Sequence, residues 1–286
     1  MRRVLLIADL EGITGVDSID ALAAGSPLYL AAAEQMTNEV GFVARLLLER
    51  GVESILISDA HRSGADTNLD ASRLPPGCEV RGIDDRYGGP LLDQVDAVVC
   101  VGMHAAGSSS GFGAHTVWVN TAWTLGQTEL SETHIARLLA AERGVPMWCA
   151  SGDDVLEQTL EVPFVRTKSA LSRAEAESRP LSEVQAAFEA VLRGPVALIP
   201  PVPRAPLRLR FQRILEADQA ERAGGRRVSS VEIELAPGQT FQAQYDEALR
   251  ISSAAEEMLL TRVEGSPGTA RFAASATRLL LEPWDE

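Results

Sequence analysis

VLLIADLEG at Val4–Gly12 is an apolar run that stops at a carboxylate, reaches a second carboxylate two residues on, and then meets a glycine. A short apolar run bounded so sharply reads as a buried strand, and a strand buried on both faces belongs to a parallel sheet. Three further runs have the same character: Ile55–Ser58, Ala97–Val101 and Val145–Ala150. Between the first two, Leu30–Arg50 is helical in composition and is closed by Gly51, while Ile135–Arg143 is a shorter helix closed by Gly144 and Pro146. Strands alternating with helices predict an α/β fold, a mainly parallel sheet flanked by helices.

Another helix is predicted over Leu181–Leu192, after which Pro195, Pro200, Pro201, Pro203 and Pro206 interrupt regular structure. A domain boundary is placed in this stretch, dividing the chain into residues 1–200, the larger α/β domain, and 201–286, a small α+β C-terminal domain. In the smaller unit LRLRF and VSSVEIEL read as strands and Tyr245–Arg262 as a helix.

The 286 residues are 45% apolar, enough for a sizeable core. The 26 Lys plus Arg stand against 40 Asp plus Glu, and the resulting charge of −14 opposes nucleic-acid binding by repelling the phosphate backbone. No run approaches the roughly 18 apolar residues of a membrane span, and the first apolar stretch is too short and too soon charged for a signal peptide, so the expected location is the cytoplasm. Cys78, Cys100 and Cys149 are odd in number and scattered, which reads as reduced packing residues and agrees with that location.

Each strand candidate ends in a candidate ligand. LLIAD ends in Asp9 and continues to Glu11, ILISDAH ends in Asp59 and His61, and VVCVGMH ends in His104. The carboxyl ends of parallel strands share one edge of the sheet, where ligands bind, so these residues are expected to converge. Asp9 and Glu11, two apart in extended chain, project from the same side, and Gly12 and Gly15 let the backbone turn beside them. Of the four histidines, His61, His104 and His115 sit beside small residues, and with two acidic partners they suit a metal. His115 follows the loop GSSSGFGA and reads as catalytic instead of coordinating.

Ser131 is a candidate N-cap, with Glu132 in the first helical turn. Glu129 is a rival ligand to Glu132, and local sequence leaves that choice open. His134 is expected at the helix surface. Asp153 and Asp154, in SGDD, reach the same sheet edge or cap the next segment. Lys168 is the single lysine of the chain, and its compact ammonium is suited to binding a substrate carboxylate or oxyanion.

In order and spacing, DLEG at Asp9–Gly12, SDAH at Ser58–His61, GMHA at Gly102–Ala105, AHT at Ala114–Thr116, VP with SGDD in Val145–Asp154, and KSALSR at Lys168–Arg173 resemble the DppA-type D-aminopeptidase family of zinc peptidases. The likeness is good up to KSALSR and loose beyond it, and Ser131 stands where the family has glycine before the glutamate. It implies two Zn2+ per subunit, with Asp9 bridging, Glu11 and His61 completing one site, His104 and Glu132 the other, and His115 as the catalytic side chain; Mn2+ or Co2+ also suit so oxygen-rich a site. It further implies a homo-oligomer, a decamer, acting through a metal-activated water on short peptides with N-terminal D-residues such as D-alanyl-D-alanine. Two rivals remain. One is a metal-dependent phosphoesterase, although the GNH(D/E) and GHxH segments of the calcineurin-like kind are missing from the sequence. The other is a noncatalytic metal- or peptide-binding protein.

Overall fold

A computed structural model describes residues 2–81, 83–196, 204–260, 262–264 and 269–286. In chain order it contains β1 (Arg3–Ala8), α1 (Tyr29–Glu49), β2 (Ser54–Asp59), β3 (Cys78–Arg81), β4 (Ala97–Met103), β5 (Thr121–Leu125), β6 (Thr128–Leu130), α2 (Glu132–Glu142), β7 (Met147–Asp153), the single turn α3 (Asp154–Glu157), β8 (Phe164–Ala170), β9 (Ala176–Ser178) and α4 (Leu181–Arg193). Next come β10 (Leu207–Phe211), α5 (Ile214–Arg222), β11 (Arg226–Arg227), β12 (Glu232–Leu235), α6 (Phe241–Leu260) and α7 (Ala270–Arg278). The four apolar runs are β1, β2, β4 and β7, as their patterning predicts.

The larger sheet has seven strands in the order β3-β2-β1-β4-β7-β8-β9, all parallel except β9. Successive strands run outward from β1 in one direction to β2 and β3, and in the other to β4, β7 and β8. The carboxyl ends of β1, β2 and β4 therefore flank the point where the order reverses, the crevice in which open α/β sheets bind ligands. The register keeps these ends level: Ala8 lies opposite Asp59 on one side and Val101 on the other.

Burial on both faces explains the uninterrupted apolar strands. Leu5 and Ile7 join Leu56, Val98 and Cys100 in one cluster with Leu91 and Leu92 of the segment before β4 and with Ile135 and Leu139 of α2, and the cluster continues to Ile251 of α6. Val4, Leu6 and Ala8 join Ile57, Val99 and Val101 on the opposite face, beneath Met36, Val40, Val43 and Leu47 of α1 and Val184 and Phe188 of α4. The α1 residues recur at helical spacing and form one apolar stripe.

The smaller sheet is antiparallel, in the order β11-β12-β10-β5-β6. Its strands come from both sides of residue 200, because the β5-β6 hairpin pairs with β10 from Leu207↔Leu125 to Phe211↔Thr121. The boundary placed between residues 200 and 201, with Pro200, Pro201 and Pro203, lies outside the described residues, as does residue 261 near the end of the predicted Tyr245–Arg262 helix. Among the described residues no helix is long and apolar enough to cross a membrane.

Candidate metal centre

Two glycines bring the β1 and β4 ends into contact. The Gly12 N–H donates to the Gly102 carbonyl at 2.7 Å, and a Cβ on Gly12 would lie 2.1 Å from the Met103 carbonyl oxygen. Gly102 has φ +74°, and a Cβ there would lie 2.3 Å from the Asp9 carbonyl oxygen. Only glycine permits so close an approach of two backbones. The result brings Asp9 and Glu11, just past β1, against His104, just past β4.

Six side chains meet at this edge. Asp9, Glu11 and His61 present one ligand atom each within 4.8 Å of one another, as do Asp9, His104 and Glu132, and as do Glu11, His104 and His115. Asp9 belongs to two of these sets, with Oδ1 3.3 Å from His61 Nδ1 and Oδ2 3.4 Å from His104 Nε2. His61 Nδ1 is also 3.0 Å from Glu11 Oε2, and His104 Nε2 is 3.8 Å from Glu132 Oε2. His115 lies flat against His104, ring centroids 4.1 Å apart, with Nε2 3.6 Å from Glu132 Oε1.

Each imidazole is tied at one nitrogen to a backbone carbonyl, which can only accept. His61 Nε2 donates to Leu22 at 2.6 Å, His104 Nδ1 to Ala105 at 2.9 Å, and His115 Nδ1 to Gly113 at 2.8 Å. That fixes the tautomer and leaves the other nitrogen facing the carboxylates, the arrangement of metal-ligating histidines. His104 Nε2 is buried and has no hydrogen-bond partner, a cost a bound cation would remove. The chemistry of the donors, carboxylate oxygen and imidazole nitrogen, fits zinc.

The charges of the site are strongly coupled. Burial draws the His104 imidazole down, yet the carboxylates of Glu132, Glu11 and Asp9 outweigh it and raise the group to about 9. His61 is likewise raised well above its ordinary value, against the effect of burial, by Glu11 and Asp9. Glu11, pushed up by burial but held by His61 and His104, settles at about 2, whereas burial and the Glu11 charge raise Asp9. His115 falls to about 4 through burial and the neighbouring His104. The carboxylates thus favour positive charge on the imidazoles of His61 and His104.

Glu132, not Glu129, joins the cluster. Its Oε1 accepts the Val117 N–H at 2.9 Å, and Val117 holds φ 69°, a left-handed conformation that costs a β-branched residue about 1–3 kcal/mol. Glu129 instead accepts the N–H and hydroxyl of Ser108 at 2.7 and 2.6 Å, outside the cluster. Ser131 caps α2 as predicted. The expectation that His134 lies at the surface is corrected: it is 4% exposed, its Nδ1 accepts the Ser131 N–H, and its Nε2 donates to the Thr159 carbonyl. The first turn of α2 is packed against the segment after α3, which burial by sequence period alone does not reveal.

Asp59 accepts from Thr67 and from the Asn68 backbone and side chain, fixing the loop after His61. Asp153 accepts the N–H groups of Leu156 and Phe112 and caps α3, whereas Asp154 accepts that of Ala170 and ties α3 to the end of β8. Lys168 has no exposed surface. Its Nζ donates to the carbonyls of Glu11, at 2.8 Å, and Val16, above the Phe112 ring. The ammonium expected to meet substrate thus braces the loop that carries Glu11, and burial lowers it to about 8. The Leu22 carbonyl and Val117, which orient His61 and Glu132, had no signal in the sequence. Arg173, which holds the loop before His115, stood within the KSALSR motif.

A buried carboxylate-imidazole cluster at the switch point of a parallel sheet is the donor set and the position of a metal site. The chain belongs to the D-aminopeptidase family of peptidases, peptidase family M55, which it matches over residues 1–251. Its fold is shared by the Zn-dependent D-aminopeptidase DppA from Bacillus subtilis, described as a self-compartmentalizing protease: the TM-score is 0.79 at 19% identity, covering 90% of this chain and 98% of that one. No curated protein sequence matches the chain.

Proposed function

We propose that this protein is a dinuclear zinc aminopeptidase that cleaves short peptides with an N-terminal D-residue, of the D-alanyl-D-alanine type. One observation carries the dinuclear reading: Asp9 turns one carboxylate oxygen to His61 and the other to His104, so two ligand sets share it. Asp9, Glu11 and His61 would hold one ion, and Asp9, His104 and Glu132 the other. Two bound zinc ions supply Lewis acidity, which lowers the pKa of a coordinated water towards neutrality and polarises a carbonyl.

The remaining work falls to the chain's own groups. His115 keeps a neutral ring whose Nδ1–H is committed to Gly113, leaving the Nε2 lone pair at the cluster to take a proton and pass it to the leaving amine. The Val117 N–H holds Glu132 in place, and the buried walls exclude bulk water.

The peptide class is supported by membership of the D-aminopeptidase family, and assembly into a homo-oligomer by the self-compartmentalizing character described for the Bacillus subtilis protein; the count of ten subunits is what the family resemblance implies. A cytoplasmic location completes the proposal and accords with Cys78, Cys100 and Cys149 all being free thiols. Metal analysis combined with hydrolysis of D- and L-configured dipeptides, before and after chelation, tests it. Two equivalents of zinc and cleavage of D-alanyl-D-alanine that chelation stops and zinc restores are expected. One equivalent removes the dinuclear reading, hydrolysis of a phosphate ester but no peptide points to a phosphoesterase, and bound zinc with neither activity points to a binding protein.

A further inference from the structure

The loop that presents His115 is GSSSGFGAH, Gly107–His115. Three glycines in so short a stretch give its backbone wide freedom, and fixing it in one conformation requires partners for its peptide groups. Asp153 holds the Phe112 N–H, Thr116 the Gly107 N–H, and Glu129 the Ser108 N–H. The two residues before His115 have a different anchor.

That anchor is Arg173, in the turn between β8 and β9. Its Nη2 donates to the Ala114 carbonyl at 2.5 Å, and its own carbonyl accepts the Gly113 N–H at 3.0 Å. Its Nη1 donates to the carbonyls of Gly107 and Ser109 at 2.8 and 2.9 Å, and its Nε to the Leu280 carbonyl at 2.8 Å. One guanidinium therefore spans both ends of the loop and a third segment, Leu280, that lies beyond the residues matched by the family. All its partners are neutral carbonyls. A planar fork with fixed donor directions is suited to holding several acceptors at set angles, which a lysine ammonium cannot do. The Gly113 carbonyl in turn receives His115 Nδ1–H, so the residues Arg173 brackets are those that aim the ring.

We propose that Arg173 is a positioning residue for His115, holding the 107–115 loop so that the imidazole stacks on His104 and faces Glu132. The proposal rests on the reading of His115 as the catalytic side chain. A displacement of about 1 Å in a catalytic group lowers turnover by about 100-fold, so Arg173→Ala should lower kcat by about 10- to 100-fold while KM and bound zinc stay near the wild-type values. Arg173→Lys, which keeps the charge and the stem, should lie between the two, and added methylguanidinium should restore part of the kcat of Arg173→Ala.

The test uses the full zinc-loaded chain with three readouts: kcat against KM for a cleaved dipeptide, zinc per chain, and amide hydrogen exchange of the 107–116 segment. Faster exchange confined to that segment, with zinc retained and kcat reduced, supports the proposal. Unchanged exchange, or zinc lost in step with kcat, overturns it. If Arg173→Ala does not fold, Arg173→Lys carries the same measurements. Should the wild-type chain cleave no peptide, the functional reading fails by itself, and the exchange comparison still decides whether Arg173 holds the loop.

Discussion

Zinc must compete with protons at this site. In the metal-free protein His104 is raised to about 9 by the carboxylates around it, and His61 is raised as well, so both carry a proton at pH 7. A metal needs the unprotonated nitrogen. With a pKa of about 9, roughly one His104 in 100 is free at pH 7 and one in ten at pH 8, so apparent zinc affinity should rise about ninefold across that step from His104 alone, worth about 1.3 kcal/mol, with His61 adding to it. Calorimetric titration of the metal-free protein in buffers of different ionisation enthalpy counts the released protons; between one and two per chain are expected at pH 7. The same shift has a stability consequence. Because the folded pKa of His104 lies above its unfolded value of 6.5, its contribution is complete below 6.5 and is lost as pH rises through about 9. Affinity that is flat between pH 7 and 8, with no proton released, would refute the electrostatic reading of the site.

Other substitutions probe neighbouring features. Gly12→Ala forces a methyl group against the Met103 carbonyl, 2.1 Å from its ideal position; overpacking of this kind costs about 1–3 kcal/mol, and at about 2–4 °C per kcal/mol the melting temperature should fall by several degrees. A melting temperature that moves by less than about 1 °C contradicts that reasoning. Lys168→Met strands the Glu11 and Val16 carbonyls in a buried site, at about 1–3 kcal/mol for each unsatisfied group, and should lower both thermal stability and zinc affinity; a variant as stable as the wild type would show that Lys168 does not brace the loop. Glu132→Gln should lose one zinc equivalent while Glu129→Gln keeps both, as metal analysis of the purified variants would reveal. His115→Ala should retain its zinc and lose turnover, and loss of the metal instead would reassign His115 as a ligand.

The parallel sheet and the positions of Asp9, Glu11, His61 and His104 were legible because a buried strand announces its end in sequence: the apolar run stops, and the next few residues lie at the carboxyl edge. The choice between Glu132 and Glu129 was not, since it depends on which residue at the β6-α2 junction faces β4, a matter of three-dimensional packing. Lys168 was assigned to substrate because nothing in the sequence marks an ammonium bound by buried carbonyls, and His134 was misread for a related reason. A polar side chain on a helix or strand is assigned to water by default, and only the surrounding elements show that its hydrogen bonds are met inside. The pairing of the β5-β6 hairpin with β10 is set by contacts between residues remote in sequence, such as Leu125 with Leu207, which no local pattern encodes.

The segment around Leu280 is held to β10 and α5 by Gln212, whose Nε2 donates to the Leu279 and Glu282 carbonyls, and by Arg213 with Glu282, while Trp284 lies against Arg210. Through Arg173 the same segment reaches the loop that presents His115. During translation the two partners emerge far apart in time: at about 5–20 residues per second, roughly 10–30 s separate the synthesis of His115 from that of Leu280. The support that the loop receives through Arg173 and Leu280 therefore closes over a long stretch of chain, and contacts of such sequence separation are the slow ones in folding.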